Sequence, residues 1–243
     1  MDKGHTIKVL DHGFVRYIDH LGSDERICEA ARISYKAPSK GPEQDRKLIS
    51  YLWKHRHTSP FEMAKITFNI KMPIFCMRQY VRHRMQNINE VSARYTELPD
   101  EFYIPKEWRK QDTKNKQGSI NDKDLNELEI PLHKVDGSLH GHFTLSEALK
   151  IQCVETYKFY QKMLEAGVAR EMARMVLPIN IYTEIYATWD LNNLLKFIVL
   201  RDDGHAQEEI QKYAQAMKEI AKKLFPFTLE AYEKYKWKLV ENE

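Results

Sequence analysis

Arg82-His83-Arg84-Met85-Gln86-Asn87-Ile88-Asn89-Glu90-Val91-Ser92-Ala93-Arg94-Tyr95 sets three arginines, a histidine, a glutamate and a serine within fourteen residues. Guanidinium groups are planar forks that grip phosphate oxygens two at a time, and Ser92 with its neighbouring backbone amides adds short donors. Glu90 is an acceptor suited to a ribose hydroxyl or a ring N–H, so the set fits a nucleotide better than bare phosphate. The same residues would also make a solvated basic face holding one salt bridge. Spacing decides between the two.

Upstream, Ile66, Phe68, Ile70 and Met72 alternate with Thr67, Asn69 and Lys71, the period of a half-buried strand that Pro73 ends. Proline suits the first turn of a helix, so Ile74 to about Val81 is expected to be helical, delivering Arg78, Gln79 and Arg82 to one end. From Asn87 to Tyr95 no period emerges, and a loop with exposed amides is expected. Glu25 to Tyr35 and Glu43 to His55 read as helices, the second with Leu48, Leu52 and Trp53 on one face. Thr144-Leu145-Ser146-Glu147 is a capping-box pattern opening a long helix that Gly167 ends. Asp190 is placed to cap a helix through Leu200, and another is expected from about His205 to Leu224, before Pro226. Between Lys106 and His142 Lys, Asp, Asn and Gln crowd the chain, so a mobile surface insertion over 106–142 is expected.

At 243 residues and 42% hydrophobic content the chain can bury a real core, and one domain over 1–243 is the simplest count. A net charge of +3, from 38 basic and 35 acidic residues, is too small for bulk binding to nucleic acid. Cys28, Cys76 and Cys153 are widely spaced and odd in number, which fits buried thiols in a reducing cytoplasm. No apolar leader opens the chain and no run of eighteen uncharged apolar residues interrupts it, so no membrane partner is expected. His133, His140 and His142 lack accompanying ligands of recognised spacing, so no metal is expected. A glycine-rich dinucleotide fingerprint is also missing.

Arg82-His83-Arg84, seven residues and Ser92 follow the RHR-x7-S pattern, and here the sequence resembles the flavin-dependent thymidylate synthases. His57-Thr58-Ser59-Pro60-Phe61-Glu62 is similar to the family's upstream H-x-[ST]-P-F-E element, and Arg78-Gln79 precedes the signature as that family would have it. Ala173-Arg174-Met175-Val176-Leu177-Pro178 and Leu200-Arg201-Asp202-Asp203-Gly204-His205-Ala206-Gln207 follow in order. The resemblance runs from about Ile7 to about Tyr232, leaving out the segment from Lys106 to His142.

The resemblance implies an α+β fold, with a mixed sheet and several long helices in one domain. It also implies reductive methylation of dUMP to dTMP, with methylenetetrahydrofolate giving the carbon, NADPH the electrons and FAD carrying hydride, in a homotetramer with shared active sites. By the same resemblance Gln79, Arg82, Glu90, Ser92, Ala93, Arg94 and Arg174 contact dUMP, and Arg201 both binds the base and promotes ionisation of its N3. His57, Ser59, Arg82, His83, Arg84 and Glu90 match FAD contacts. A fixed cation suits the uracil role, because it stabilises negative charge at N3 and O4 without losing its own proton. Ser92 lacks a neighbouring base in sequence and is read as a binding group rather than a nucleophile, and no cysteine matches a family nucleophile.

Other assignments remain compatible with the residues. Arg174 could pair with Glu171, and Arg201 with Asp202 or Asp203. Asp190, Asn192 and Lys196 depart from the asparagine or arginine common before the Arg201 block, and Asn87 replaces a small hydroxyl residue inside the signature; no FAD role is carried onto the first three. An enzyme modifying another pyrimidine nucleotide fits those departures. An RNA-binding module using Arg78, Tyr80, Arg82, Arg84, Arg94 and Tyr95 would leave Arg174 and Arg201 unexplained.

Overall fold

The Ile66-Phe68-Ile70-Met72 alternation forms a strand in which all four side chains are fully buried. Its other face is not left to solvent: Asn69 is buried too, donating through Nδ2 to Glu184 Oε1 at 2.9 Å and to the Ile185 carbonyl at 3.2 Å. A buried amide in a sheet interior needs such partners.

A computed structural model describes residues 1–36, 38 and 41–235. Along the chain lie β1 (Thr6–Val9), β2 (Gly13–Leu21), α1 (Asp24–Arg32), α2 (Pro42–Lys54), β3 (Lys65–Pro73), α3 (Ile74–Tyr80) and β4 (Gln86–Glu90). Next come β5 (Arg109–Gln111), β6 (Ser119–Asn121), α4 (Asp124–Glu127), β7 (Glu129–His133), β8 (Leu139–Thr144), α5 (Leu145–Glu165) and α6 (Arg170–Ala173). The described chain closes with β9 (Tyr182–Asp190), α7 (Leu191–Arg201), α8 (Glu208–Leu224) and α9 (Pro226–Lys234). The α+β class is as expected. Its larger sheet runs in the order β1-β2-β3-β9-β4, and the pairings β1–β2, β2–β3 and β4–β9 are antiparallel, a refinement of the mixed sheet expected.

Contacts divide the chain into two compact units. The first comprises Met1–Lys71, Arg78–Glu90 and Glu184–Glu243. In it α8 buries Ile210, Tyr213, Ala214, Met217, Ile220 and Ala221, a stripe at helical spacing. Trp53 of α2 meets Phe61 edge-on at 5.5 Å and Tyr232 of α9 at 6.1 Å. Tyr213 donates its hydroxyl to the Lys71 carbonyl at 2.9 Å, and this contact crosses β2 where Gly13 stands. A Cβ at position 13 would lie 2.1 Å from the Tyr213 hydroxyl and 2.6 Å from the Val9 carbonyl, so only glycine fits. Asp190 caps α7 as expected, its Oδ1 accepting from the Asn193 amide at 2.9 Å.

The second unit comprises Met72–Met77 and Val91–Thr183. The capping box at Thr144 is formed: Thr144 Oγ1 accepts from the Glu147 amide, and Glu147 Oε2 accepts from the Thr144 amide at 2.9 Å. From α5, Cys153, Tyr157 and Tyr160 pack against Leu98, Phe102, Ala173 and Ile181, and Tyr157 donates to the Leu98 carbonyl at 2.8 Å.

Several boundaries differ from expectation. Gln86–Glu90 is an edge strand, not the start of a loop. Its side chains are mostly exposed on both faces, so no burial period marks it, and backbone pairing to β9 from Gln86↔Trp189 to Glu90↔Ile185 holds it. The loop begins at Val91 and turns at Ser92, whose carbonyl accepts from the Tyr95 and Thr96 amides. α1 stops at Arg32 and a 3-10 turn covers Ile33–Tyr35. α8 starts at Glu208 rather than His205, because Asp203 Oδ1 takes the His205 amide at 2.9 Å in a local turn. α8 ends at Leu224, before Pro226, as expected, and Pro226, a good first residue of a helix, opens α9. The insertion over 106–142 is organised as two hairpins, β5–β6 and β7–β8, with the short α4 between them. Its Trp108 donates through Nε1 to Ser146 Oγ at 2.9 Å.

Candidate active site

At the end of α3, Tyr80 is fully buried and its hydroxyl accepts from Trp189 Nε1 at 2.6 Å. Burial pushes the Tyr80 hydroxyl pKa up, so it stays neutral. Phe197 of α7 lies 5.3 Å from both the Tyr80 and the Trp189 rings. On this aromatic bed rests His83, edge-on to Phe197 at 4.9 Å and 6.4 Å from Trp189.

His83 Nε2 faces Arg201 Nε at 3.0 Å. A guanidinium only donates, so Nε2 carries the lone pair and the ring proton sits on Nδ1. Burial, then the Arg201 charge, pull the His83 pKa from 6.5 down to about 4. The sign follows from linkage. Below pH 6.5 the unfolded chain takes up a proton at this histidine, whereas the folded chain does so only near pH 4, so stability falls as pH is lowered through that window. His83→Gln keeps an acceptor for Arg201 and is expected to flatten that slope in urea midpoints measured between pH 6.5 and 4. Parallel curves for the two proteins would contradict the neutral imidazole.

Arg201 is half-buried, and a second bond from Nη2 reaches the Gln79 carbonyl at 3.4 Å. Neither neighbouring carboxylate pairs with it. Asp202 accepts from Lys218 Nζ at 3.0 Å and from Gln215, and Asp203 pairs with His205 at 2.8 Å. Arg201 therefore presents a partly desolvated positive charge that no described carboxylate neutralises. Gln79 donates its side-chain amide to Gln207 Oε1, and Gln207 Nε2 donates to Glu209 Oε2 at 2.8 Å.

Elsewhere in this unit Arg82 and Arg84 are exposed, and their side chains make no hydrogen bond or ion pair with another described residue. Glu90 lies at the end of β4, opposite Ile185. His57 is exposed and edge-on to Tyr51 at 5.8 Å; Ser59 opens a 3-10 turn over Ser59–Met63. In that motif Glu62 accepts from Asn192 Nδ2 at 3.1 Å. Asp190 thus serves as a helix cap, while Asn192 gives its Nδ2 to Glu62 and keeps a buried Oδ1 with no hydrogen-bond partner among the described residues.

Within the second unit, Ser92 Oγ accepts from the Arg94 amide at 3.3 Å and Ala93 is buried among Leu98 and Phe102. Arg94 Nε donates to Glu171 Oε2 at 3.1 Å, so Glu171 pairs with Arg94 rather than with Arg174. Arg174 opens the 3-10 turn Arg174–Val176 and is exposed. Cys28, Cys76 and Cys153 are all buried, and burial pushes the Cys28 thiol up to about 12, so it is a poor nucleophile. Among the described residues no group of three His, Cys, Asp or Glu is placed to hold a metal, and no helix is long and apolar enough to cross a membrane.

Of the expected residues, Gln79, His83 and Arg201 come together in the first unit, and Ser92, Ala93 and Arg94 in the second. Gln207 and Glu209 were not among them, although Gln207 ends the quoted Arg201 block.

An α+β scaffold that holds a guanidinium against a neutral imidazole, with two more arginines on the imidazole's own segment that have no partner among the described residues, has the chemistry suited to an anionic ligand. The model of the family "Thymidylate synthase complementing protein" matches residues 16–227. A flavin-dependent thymidylate synthase of Thermus thermophilus is 46% identical over 230 residues, covering 95% of this chain and 79% of that protein. One from Thermosipho melanesiensis is 44% identical over 231 residues, covering 95% of each. Among solved structures, the UMP/dUMP methylase PolB of Streptomyces cacaoi bound with 5-Br dUMP is similar with a TM-score of 0.80 and 31% identity, over 94% of this chain and 98% of that one. The chain belongs to the thymidylate synthase complementing family of flavin-dependent thymidylate synthases, which are methyltransferases.

Proposed function

We propose that this enzyme methylates dUMP reductively to dTMP, with methylenetetrahydrofolate as carbon donor, NADPH as reductant and FAD as the bound flavin. The observation that carries this is Arg201, a partly desolvated cation that pairs with no described carboxylate. Such a charge stabilises the anionic form of a uracil ring at N3 and O4, where bulk water would screen it. His83 and the Gln79 carbonyl hold two of its nitrogens, which fixes the plane of the guanidinium.

FAD, when bound, supplies the hydride carrier. The chemistry of the residues fits it: Arg82 and Arg84 are forks with no partner among the described residues and suited to a pyrophosphate, and His57, Ser59 and Glu90 add polar groups. His83 already gives its Nε2 to Arg201, which leaves Nδ1–H and the ring for the flavin. Gln79, Arg82, Glu90, Ser92, Ala93, Arg94, Arg174 and Arg201 are assigned to dUMP, Ala93 through its backbone. We further read the whole chain as one synthase domain, because the polypeptide passes back and forth between its two units, and assign it to a cytoplasmic homotetramer.

A second reading has its own observation. The Streptomyces cacaoi methylase, also similar with bound 5-Br UMP at a TM-score of 0.78, is described as acting on UMP as well as dUMP. Ribonucleotide turnover by this chain would follow if its sugar contacts tolerate a 2′-hydroxyl.

The test is a visible spectrum of the protein with FAD, followed by anaerobic NADPH with and without dUMP or UMP. Bound flavin whose reduction responds to dUMP is expected. No flavin at saturating FAD would overturn the proposal, and a stronger response to UMP would transfer it to the second reading.

A further inference from the structure

Gln79 and Gln207 meet through their side-chain amides, and such a pair has two senses, because oxygen and nitrogen exchange when each amide turns over. Glu209 removes the ambiguity. It is only 3% exposed, stands in the first turn of α8 and accepts at Oε2 from Gln207. A carboxylate only accepts, so the Gln207 atom 2.8 Å from Glu209 Oε2 is the Nε2 donor. Gln207 Oε1 therefore turns to Gln79, which must offer Nε2 in return. Gln79 is left with Oε1 as its side-chain acceptor and one remaining Nε2 hydrogen, and its backbone carbonyl is tied to Arg201.

We propose that Gln207, oriented by Glu209, is a positioning residue that fixes the Gln79 amide with Oε1 toward the nucleotide, selecting a ligand that offers a donor there, a sugar hydroxyl or the imide N–H. This rests on the reading of Gln79 as a dUMP-binding residue. Without the relay the amide turns freely and half of its orientations present N–H groups to a donor, which repels it. The relay acts on binding rather than on the methyl transfer.

The experiment uses the FAD-loaded protein and titrates dUMP, 3′-deoxy-dUMP and N3-methyl-dUMP by their perturbation of the flavin spectrum. Gln79→Leu, Gln207→Leu and the double variant Gln207→Glu with Glu209→Gln are compared with the parent. Gln207→Leu is expected to weaken dUMP about tenfold with kcat largely retained, the size of one lost hydrogen bond. One analogue, the one missing the donor that Gln79 reads, should be weak in the parent and no weaker in Gln207→Leu. The double variant reverses the two partners but keeps an acceptor toward Gln79, and should restore dUMP binding. Equal weakening of all three ligands with no restoration would make the relay merely structural and overturn the proposal. So would unchanged dUMP affinity in Gln207→Leu beside a weakened Gln79→Leu. If Gln79→Leu itself binds dUMP normally, the Gln79 assignment falls and the proposal with it.

Discussion

Arg201→Ala is expected to abolish dTMP formation while the protein keeps its flavin and its fold. Removing a preorganised donor aimed at developing charge costs about 100- to 1,000-fold in turnover, or roughly 3–4 kcal/mol of barrier. Arg201 stands at the upper end of that range because its charge is half-buried and unshared with a carboxylate. Arg201→Lys should recover little. An ammonium is a point charge, and cannot face His83 Nε2 and the Gln79 carbonyl with the planar spread that holds the arginine. Single-turnover reaction of reduced, dUMP-loaded enzyme checks the outcome, and retained turnover in the alanine variant would remove Arg201 from the chemistry.

Phe197→Ala is expected to destabilise the protein by about 3–5 kcal/mol, the usual cost of emptying a buried aromatic site. Phe197 is fully buried and touches three rings at once, those of Tyr80, Trp189 and His83. Their burial is what keeps His83 neutral, so water admitted to the cavity should also bring the His83 pKa back toward its ordinary value. Urea unfolding gives the first quantity and the imidazole proton resonance the second. Phe197→Leu, which leaves less empty volume, should fall between the alanine variant and the parent in both.

How much of this was legible in the sequence depends on what signals each element. β3, α3, α5 and α7 announce themselves through burial period, a proline or a cap, because their residues are chosen by packing or by local hydrogen bonds. β4 carries no such mark: Asn87, Ile88, Asn89 and Glu90 are all exposed, and the strand exists through its pairing with β9. The hairpins of the 106–142 insertion are hidden in the same way, since short exposed ladders need no apolar alternation. At the site, residue types and spacing pointed to anion binding and the order of motifs to the family. They did not show that Arg201 meets His83, a contact across 118 positions, nor that Asp202 and Asp203 are already engaged by Lys218 and His205. Those depend on how α7 and α3 are set against one another by the aromatic bed. Gln207 was invisible for a simpler reason: an amide in a motif declares neither its sense nor its partner until the carboxylate beside it is located.

Gly13 and Gly204 invite the opposite expectation about which is the freer to drift. Gly204 sits three positions from Arg201, yet a methyl group there would meet no described atom within 4 Å. Gly13 belongs to no motif, but any side chain would drive into a tyrosine hydroxyl and into two main-chain carbonyls, at Val9 and Lys71, that cannot swing aside. Replacing Tyr213 would relieve only the first of these collisions. A substitution at Gly13 is therefore set against the packing of this chain itself, whereas one at Gly204 meets no described atom of it.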